Sequence, residues 1–314
     1  MYSFGHESWI KYGWGPDYND EFKSGDLLHV DFANNGNRDC LRIPSLEAAK
    51  YTVDLIQKTY PPPFSLMCSG GVDSQVMLWA WKISNVPFRV ISVRYITDGV
   101  WYNEFDLLPL IEFCNQHNIE IDFKDFDVIN FVENDLFEVA RKFDCDSPQI
   151  STYIKMADNL VNEGTAIFSG NFVFYTSPFW YSHLGLQNFA AWLTKNSHKR
   201  LIPFFLLHTP EIGYSFQLKD PTVLRVLRAI TKNNLYLENG YPLVIPEDKY
   251  TGFEKIKEYY DQFPERITPR TRFIYSTMDS PRVFDLLFRY PLGVNKSRKM
   301  PKIEHLLPSY KDLK

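Results

Sequence analysis

The chain is expected to be an α/β protein: a doubly wound parallel sheet, preceded by a small β-rich segment and followed by a mostly helical region. Three observations predict this. Short apolar runs alternate with amphipathic stretches from Phe64 to Phe168, the rhythm of a parallel sheet with helices on both faces. Hydrophobic residues make up 45% of 314 residues and aromatic residues 16%, ample for a core on each face. Last, three of the apolar runs end in small or turn-forming residues: Ser69-Gly-Gly71, Thr97-Asp-Gly99 and Ser169-Gly-Asn171. Ligands of open α/β sheets bind beyond such carboxyl ends.

The elements follow in order. Residues 1–43 are aromatic and turn-rich, and Leu27–Phe32, Asn34–Asn37 and Cys40–Ile43 read as a hairpin about a glycine turn. A helix is expected from Ser45, as N-cap, to Thr59, stopped by Pro61–Pro63. Strand 64–68 leads to helix 73–84, strand 88–96 to helix 104–117, and strand 119–128 to helices at 130–142 and 148–163. Thr165–Phe168 is the fourth strand. After 171 the pattern turns helical and irregular. Helices are expected at 186–195, from Thr209-Pro210-Glu211, and at 221–232, 251–262 and 281–289. Three regions result: 1–62, 63–175 and 176–314.

Composition bounds the function. The net charge is −4, so nothing global points to nucleic acid or membrane. There is no run of about 18 apolar residues, and residues 1–7 lack a basic and an apolar region, so neither a membrane helix nor a signal peptide is expected. Cys40, Cys68, Cys114 and Cys145 are scattered and form no Cys-x-x-Cys pair. That pattern suits a reduced, cytoplasmic protein and argues against a zinc or iron–sulfur centre.

The most informative stretch is Phe64-Ser-Leu-Met-Cys-Ser-Gly-Gly-Val-Asp-Ser74. It reads as buried strand, glycine turn and helix N-terminus, which is a ready anion site. First-turn N–H groups lack carbonyl partners, and the helix dipole favours negative charge there. Gly70 and Gly71 allow close backbone approach, and Ser69 and Ser74 can add hydroxyl donors. The wording Ser-Gly-Gly-Val-Asp-Ser resembles the pyrophosphate loop of the PP-loop ATP pyrophosphatases, also described as adenine nucleotide alpha hydrolase-like. That superfamily includes asparagine synthetase, GMP synthetase, NAD synthetase and several tRNA-modifying enzymes. A Walker loop is absent.

The resemblance implies ATP and Mg²⁺ as cofactors and attack of a substrate oxygen on the α-phosphorus, giving an adenylate and pyrophosphate. It assigns Ser69, Gly70, Gly71, Val72, Asp73 and Ser74 to ATP and Asp73 also to the metal. Arg200-Leu-Ile-Pro-Phe-Phe-Leu-Leu-His-Thr-Pro-Glu-Ile212 and Lys249-Tyr-Thr-Gly-Phe253 look like segments of the asparagine synthetase-type synthetase domain. On that likeness Lys249 stabilises charge in adenylation, and Arg200, Ser169 and Gly170 join the binding site. The chain departs from that domain in two ways. Ser169-Gly-Asn-Phe-Val-Phe-Tyr175 carries no acid, and Tyr2 stands where the glutaminase domain has its nucleophilic cysteine. Nitrogen would come from ammonia, an amine substrate or a separate glutaminase.

Several residues read two ways. Asp73 suits Mg²⁺ or phosphates, and also suits helix-dipole stabilisation. Asp98 suits ribose, adenine or Mg²⁺, and equally an Asp-Gly turn. Lys249 and Arg200 fit either the site or a solvated surface. Cys68 should face the sheet core. Between Arg266 and Lys302 nine Arg or Lys stand against two Asp, about +7; this span suits tRNA phosphates or a mixed surface. The expected activity is an AMP-forming ligase acting on a small carboxylate or amide. The alternatives are a tRNA base-modifying enzyme and a nucleotide-binding protein without turnover.

Overall fold

A computed structural model describes residues 2–14, 28–32, 43–143, 145, 148–160, 164–170, 174–176, 179–181, 192–193, 200–216, 229–246, 252–268 and 271. The N-terminal strands β1 (Tyr2–Phe4), β2 (Ile10–Trp14) and β3 (Leu28–Phe32) form an antiparallel sheet in that order. The partner of β3 is therefore β2, paired from Ile10↔Phe32 to Trp14↔Leu28. The turn at 34–37 and all but Ile43 of the expected second arm lie outside the described residues. Helix α1 (Ser45–Thr59) follows, with Pro44 rather than Ser45 in the cap position. Ser45 is the first helical residue, and its hydroxyl lies 3.0 Å from the Tyr241 hydroxyl instead of capping the helix.

Four strands of the central sheet stand where apolar runs predict them: β4 (Phe64–Met67), β5 (Arg89–Thr97), β7 (Ile121–Phe126) and β8 (Thr165–Phe168). A two-residue β6 (Val100–Trp101), which no apolar run predicts, folds back on the end of β5. A short ribbon of β9 (Phe174–Thr176) and β10 (Phe179–Tyr181) follows. This ribbon stands where only helical or irregular structure was expected. Then comes β11 (Leu201–Ile202). The parallel order is β11-β8-β4-β5-β7, with β6 antiparallel on the end of β5. From β4 the chain steps outward to β5 and β7, then crosses back to β8 and β11 on the other side of β4. The direction reverses between β4 and β8, which makes that gap the switch point where ligands of such sheets bind.

The connecting helices are α2 (Val72–Ile83), α3 (Glu104–Gln116), α4 (Leu136–Phe143) and α5 (Pro148–Leu160). The helix expected at 130–142 is broken at its start. Asp127 caps a single turn, Val128–Asn130, by accepting the Asn130 N–H at 3.0 Å, and Phe131–Asp135 is a π turn leading into α4. Later come α6 (Pro210–Ser215), α7 (Ala229–Glu238) and α8 (Phe253–Gln262). Thr209 caps α6 as expected, accepting the Ile212 N–H at 3.3 Å. Helix α7 extends six residues beyond the stretch expected at 221–232, of which 221–228 lie outside the described residues. Only Trp192 and Leu193 of 186–195 are described, and 281–289 not at all.

Strand alternation sends successive side chains to opposite faces. Met67, Ile91, Val93, Tyr95 and Phe168 join one core with residues of α4, α5, α8 and β2. Leu66, Cys68, Val90, Ile167 and Ile202 join the other with residues of α1, α2 and α3. The protein is thus doubly wound. Cys68 is buried in the second core as expected, and burial pushes its thiol pKa up, against nucleophilic use. Among the described residues no helix is long and apolar enough to cross a membrane.

Candidate functional site

Strand β4 is buried along its length, and its last ladder bond is Cys68 N–H to the Ile91 carbonyl at 2.9 Å. The chain then turns through Ser69–Gly71 into α2. Gly71 occupies the cap position in an extended conformation, with no side-chain cap. The register Met67↔Phe168 sets this loop abreast of Ser169–Gly170, at the switch point.

The two serines close the loop on itself. Ser69 N–H donates to Ser74 Oγ at 3.1 Å, the two hydroxyls lie 3.4 Å apart, and Gly71 N–H reaches Ser69 Oγ at 3.4 Å. Ser74 is buried inside the loop, so its side chain shapes the backbone as much as any ligand. Gly70 has a separate reason to be glycine: a Cβ there would stand 1.3 Å from the Asp106 carbonyl oxygen in the first turn of α3. Over Gly71 a Cβ would meet, among the described residues, only Ser69 Oγ, at 3.4 Å. One glycine is filled from behind by backbone; the other leaves the outer face of the loop open. That open face above first-turn N–H groups is the room a phosphate needs.

Val72 turns into the second core. Asp73, on the first turn of α2, accepts the Tyr236 hydroxyl at 2.5 Å. Gln75, fully buried, bridges to the backbone of residue 244: its Nε2 donates to the Val244 carbonyl at 2.9 Å and its Oε1 accepts the Val244 N–H at 2.8 Å. Tyr153 of α5 lies beside Ser69; burial, then Tyr95 and Asp106, raise its phenol pKa well above the ordinary value. It therefore presents a neutral hydroxyl at the loop near pH 7.

Tyr236, Gln75 and Tyr153 were not singled out from the sequence. Gln75 had a signal, since it shares a helical face with Val72 and Leu78 and is polar on an apolar stripe. Tyr236 had none, because 163 residues separate it from Asp73.

The other expected site residues are scattered. Ser169 accepts the Leu206 N–H at 3.1 Å, and Gly170 adopts φ +65° with Phe204 packed where a Cβ would go. Asp98 is exposed at the tip of the β5–β6 hairpin; it and Gly99 have φ of 52° and 78° between paired Thr97 and Val100. That is the mirror-image two-residue turn that Asp-Gly favours, so its turn reading is the one the geometry carries. Arg200 precedes β11, and its carbonyl accepts the Ala166 N–H at 3.0 Å. It sits exposed at the amino end of the strands, roughly 13 Å below Ser169 at about 3.3 Å per residue. The structure does not bring it to the loop.

Lys249 lies outside the described residues. Gly252 and Phe253, just after it, reach the carboxyl end of the sheet. Gly252 has φ +86° and a Cβ there would meet Asn103 Cβ at 2.6 Å, while the Phe253 ring packs edge-on to Tyr95 at 5.7 Å. Asn103 anchors this corner, donating to the Val93 carbonyl and accepting from Tyr95 N–H and Trp101 Nε1 at 2.7–2.9 Å. Arg266, first of the basic span, is engaged with Glu133 at 2.6 and 2.9 Å and with Tyr259; residues 272–302 lie outside the described residues.

Among the described residues no three His, Cys, Asp or Glu side chains converge as a metal centre. Mg²⁺ needs no such cage, since it commonly takes one or two carboxylates with phosphates and water. Asp73 at the mouth of the loop fits that mode.

No family model matches the chain, and no curated protein matches it. Among solved structures, an NH3-dependent NAD synthetase from Campylobacter jejuni is similar over 83% of this chain and 99% of its own, at 13% identity and a TM-score of 0.35. At this distance the likeness fixes neither activity nor substrate.

Proposed function

We propose that this chain is an ATP pyrophosphatase that adenylates a substrate oxygen for ligation to an amine or ammonia. The observation that carries the reading is the Ser69–Ser74 loop. It leaves the central strand at the switch point, one glycine is packed from behind by Asp106, and no described residue but Ser69 stands over Gly71. The triphosphate of ATP would lie on the N–H groups of Gly70, Gly71 and Val72, with the Ser69 hydroxyl alongside. Asp73 would hold Mg²⁺, which when bound neutralises charge on the departing pyrophosphate.

In the proposed reaction a carboxylate or amide oxygen of the substrate attacks the α-phosphorus, the bond to the bridging oxygen breaks, and pyrophosphate leaves. An amine or ammonia then displaces AMP. The chain's own contribution is positioning and charge stabilisation. Tyr153 suits hydrogen-bond donation beside Ser69, and Lys249 suits a compact positive charge near the phosphates. Arg200 and Asp98 have no part in this reading.

The test is pyrophosphate release from ATP–Mg²⁺, with unaltered protein and Asp73→Asn, against pooled carboxylic acids, pooled amines and tRNA. Release that requires the carboxylic acids and drops at least tenfold in the variant is expected. Release that requires tRNA instead would favour the base-modifying activity. ATP binding with no release from any pool would leave a nucleotide-binding protein without turnover.

A further inference from the structure

We infer that Tyr236 is a positioning residue that sets the orientation of the Asp73 carboxylate for a Mg²⁺–triphosphate group. The inference rests on the reading of the Ser69–Ser74 loop as an ATP seat. Tyr236 Oη donates to Asp73 Oδ1 at 2.5 Å, the short end of charge-assisted O–H···O⁻ distances. A carboxylate on an isolated helix turn rotates freely about two torsions. Here one of its oxygens is held by a donor from a helix 163 residues further along the chain.

The donor is itself immobilised. Tyr236 is fully buried, and its ring packs edge-on against Phe216 (centroids 5.2 Å apart, 79°) and Tyr241 (6.0 Å, 67°). A tyrosine has only two side-chain torsions, and packing on both sides fixes them, so the core dictates where the hydroxyl stands. The segment after α7 is tied to α2 at one more point and to the start of α1 at another. Gln75 bridges both backbone groups of Val244, and the Tyr241 hydroxyl lies 3.0 Å from Ser45 Oγ and 3.2 Å from the Ser45 carbonyl. Loop, α2 and residues 236–244 thus form one hydrogen-bonded unit.

A bond that served the fold alone would affect melting temperature and nothing specific to the metal. The two roles separate in Mg²⁺-dependent ATP binding. Calorimetric titrations with ATP, in excess Mg²⁺ and in EDTA, would compare unaltered protein, Tyr236→Phe, Asp73→Asn and the double variant. Tyr236→Phe keeps the ring and its packing. Loss of one hydrogen bond to a charged group predicts about tenfold weaker ATP binding in Mg²⁺. Binding in EDTA should stay within about twofold, because the metal no longer reports the carboxylate's position. In the Asp73→Asn background the tyrosine change should cost nothing further, the signature of two groups acting as one unit. Equal Mg²⁺-dependent affinity in Tyr236→Phe, an equal loss in EDTA, or an undiminished loss in the Asp73→Asn background would each overturn this inference alone. If the unaltered chain bound no ATP under either condition, the reading of the loop would fall and this inference with it.

Discussion

Gly70 and Gly71 are adjacent, yet an added methyl group should have opposite consequences at the two positions. In Gly70→Ala the new Cβ would lie 1.3 Å from the Asp106 carbonyl oxygen, where an ordinary contact is 3.4 Å or more. The obstacle is backbone, and it cannot swing aside. Leu107 and Leu110 are fully buried beside it, and Leu107 N–H bonds the Asn103 carbonyl. Loop or helix would have to move by about 2 Å, and overpacking of this kind costs about 3 kcal/mol or more. In a chain of this size that lowers the melting temperature by roughly 6 °C or more. In Gly71→Ala the backbone, φ −69° and ψ 152°, suits alanine, and among the described residues the only neighbour is Ser69 Oγ at 3.4 Å. Reduced unfolded-state entropy and the weaker capping preference of alanine roughly cancel, leaving stability within about 1 kcal/mol. The methyl would, however, stand on the open face. A phosphate oxygen must come to about 2.9 Å from the backbone nitrogens there. Losing one or two charge-assisted bonds predicts ATP binding weaker by about tenfold to a hundredfold. Differential scanning fluorimetry and calorimetric ATP titration measure the two quantities independently. A Gly71→Ala protein that bound ATP like the unaltered chain would refute the assignment of the phosphate seat. A Gly70→Ala protein with unchanged melting would refute the close approach of loop and α3.

Two further outcomes are expected. Replacing Gln75 by Leu removes the bridge to both backbone groups of Val244 and should lower stability by about 2 kcal/mol in denaturant melts; an unchanged midpoint would mean the bridge is dispensable. His208 is buried and its pKa is pulled down to about 3, by burial first and then by the charge of His6. A depressed histidine is neutral in the native state and takes up a proton on unfolding. Its contribution is complete above about pH 6.5 and is lost as pH falls toward 3, at about 1.4 kcal/mol per unit. Melts at pH 7.5 and 5.5 should therefore show about 1.4 kcal/mol more acid sensitivity in the unaltered protein than in His208→Gln, and equal slopes would contradict it.

Legibility from sequence followed the range of the interactions concerned. Thr165–Phe168 and α1 fall where they were read, because apolar runs and proline stops act within a few residues. Ser45 has the residue type of a cap, but its bond to Tyr241, 196 residues away, has no local trace. The π turn at Phe131–Asp135 looks like plain helix in the sequence, since helical periodicity barely registers one inserted residue. At Asp98 the local rule was right: Asp-Gly makes the hairpin turn it favours. At Arg200 a loose likeness of wording suggested the site, and strand direction put the residue at the far end of the sheet.

The sequence by itself determined the alternation of strands and helices, the strand–turn–helix form of Ser69–Ser74 with its helix-start N–H groups, and the inward face of Cys68. Each follows from the side-chain period of two along a strand or from unpaired N–H groups at a helix start, which need no distant partner. Only the tertiary structure decided that β4 lies beside β8, that Asp106 stands behind Gly70, and that Tyr236 and Gln75 bind the loop region to residues 236–244. Those contacts join positions 36 to 169 residues apart. They arise from the packing of whole elements around two cores, and no local pattern encodes which element packs where.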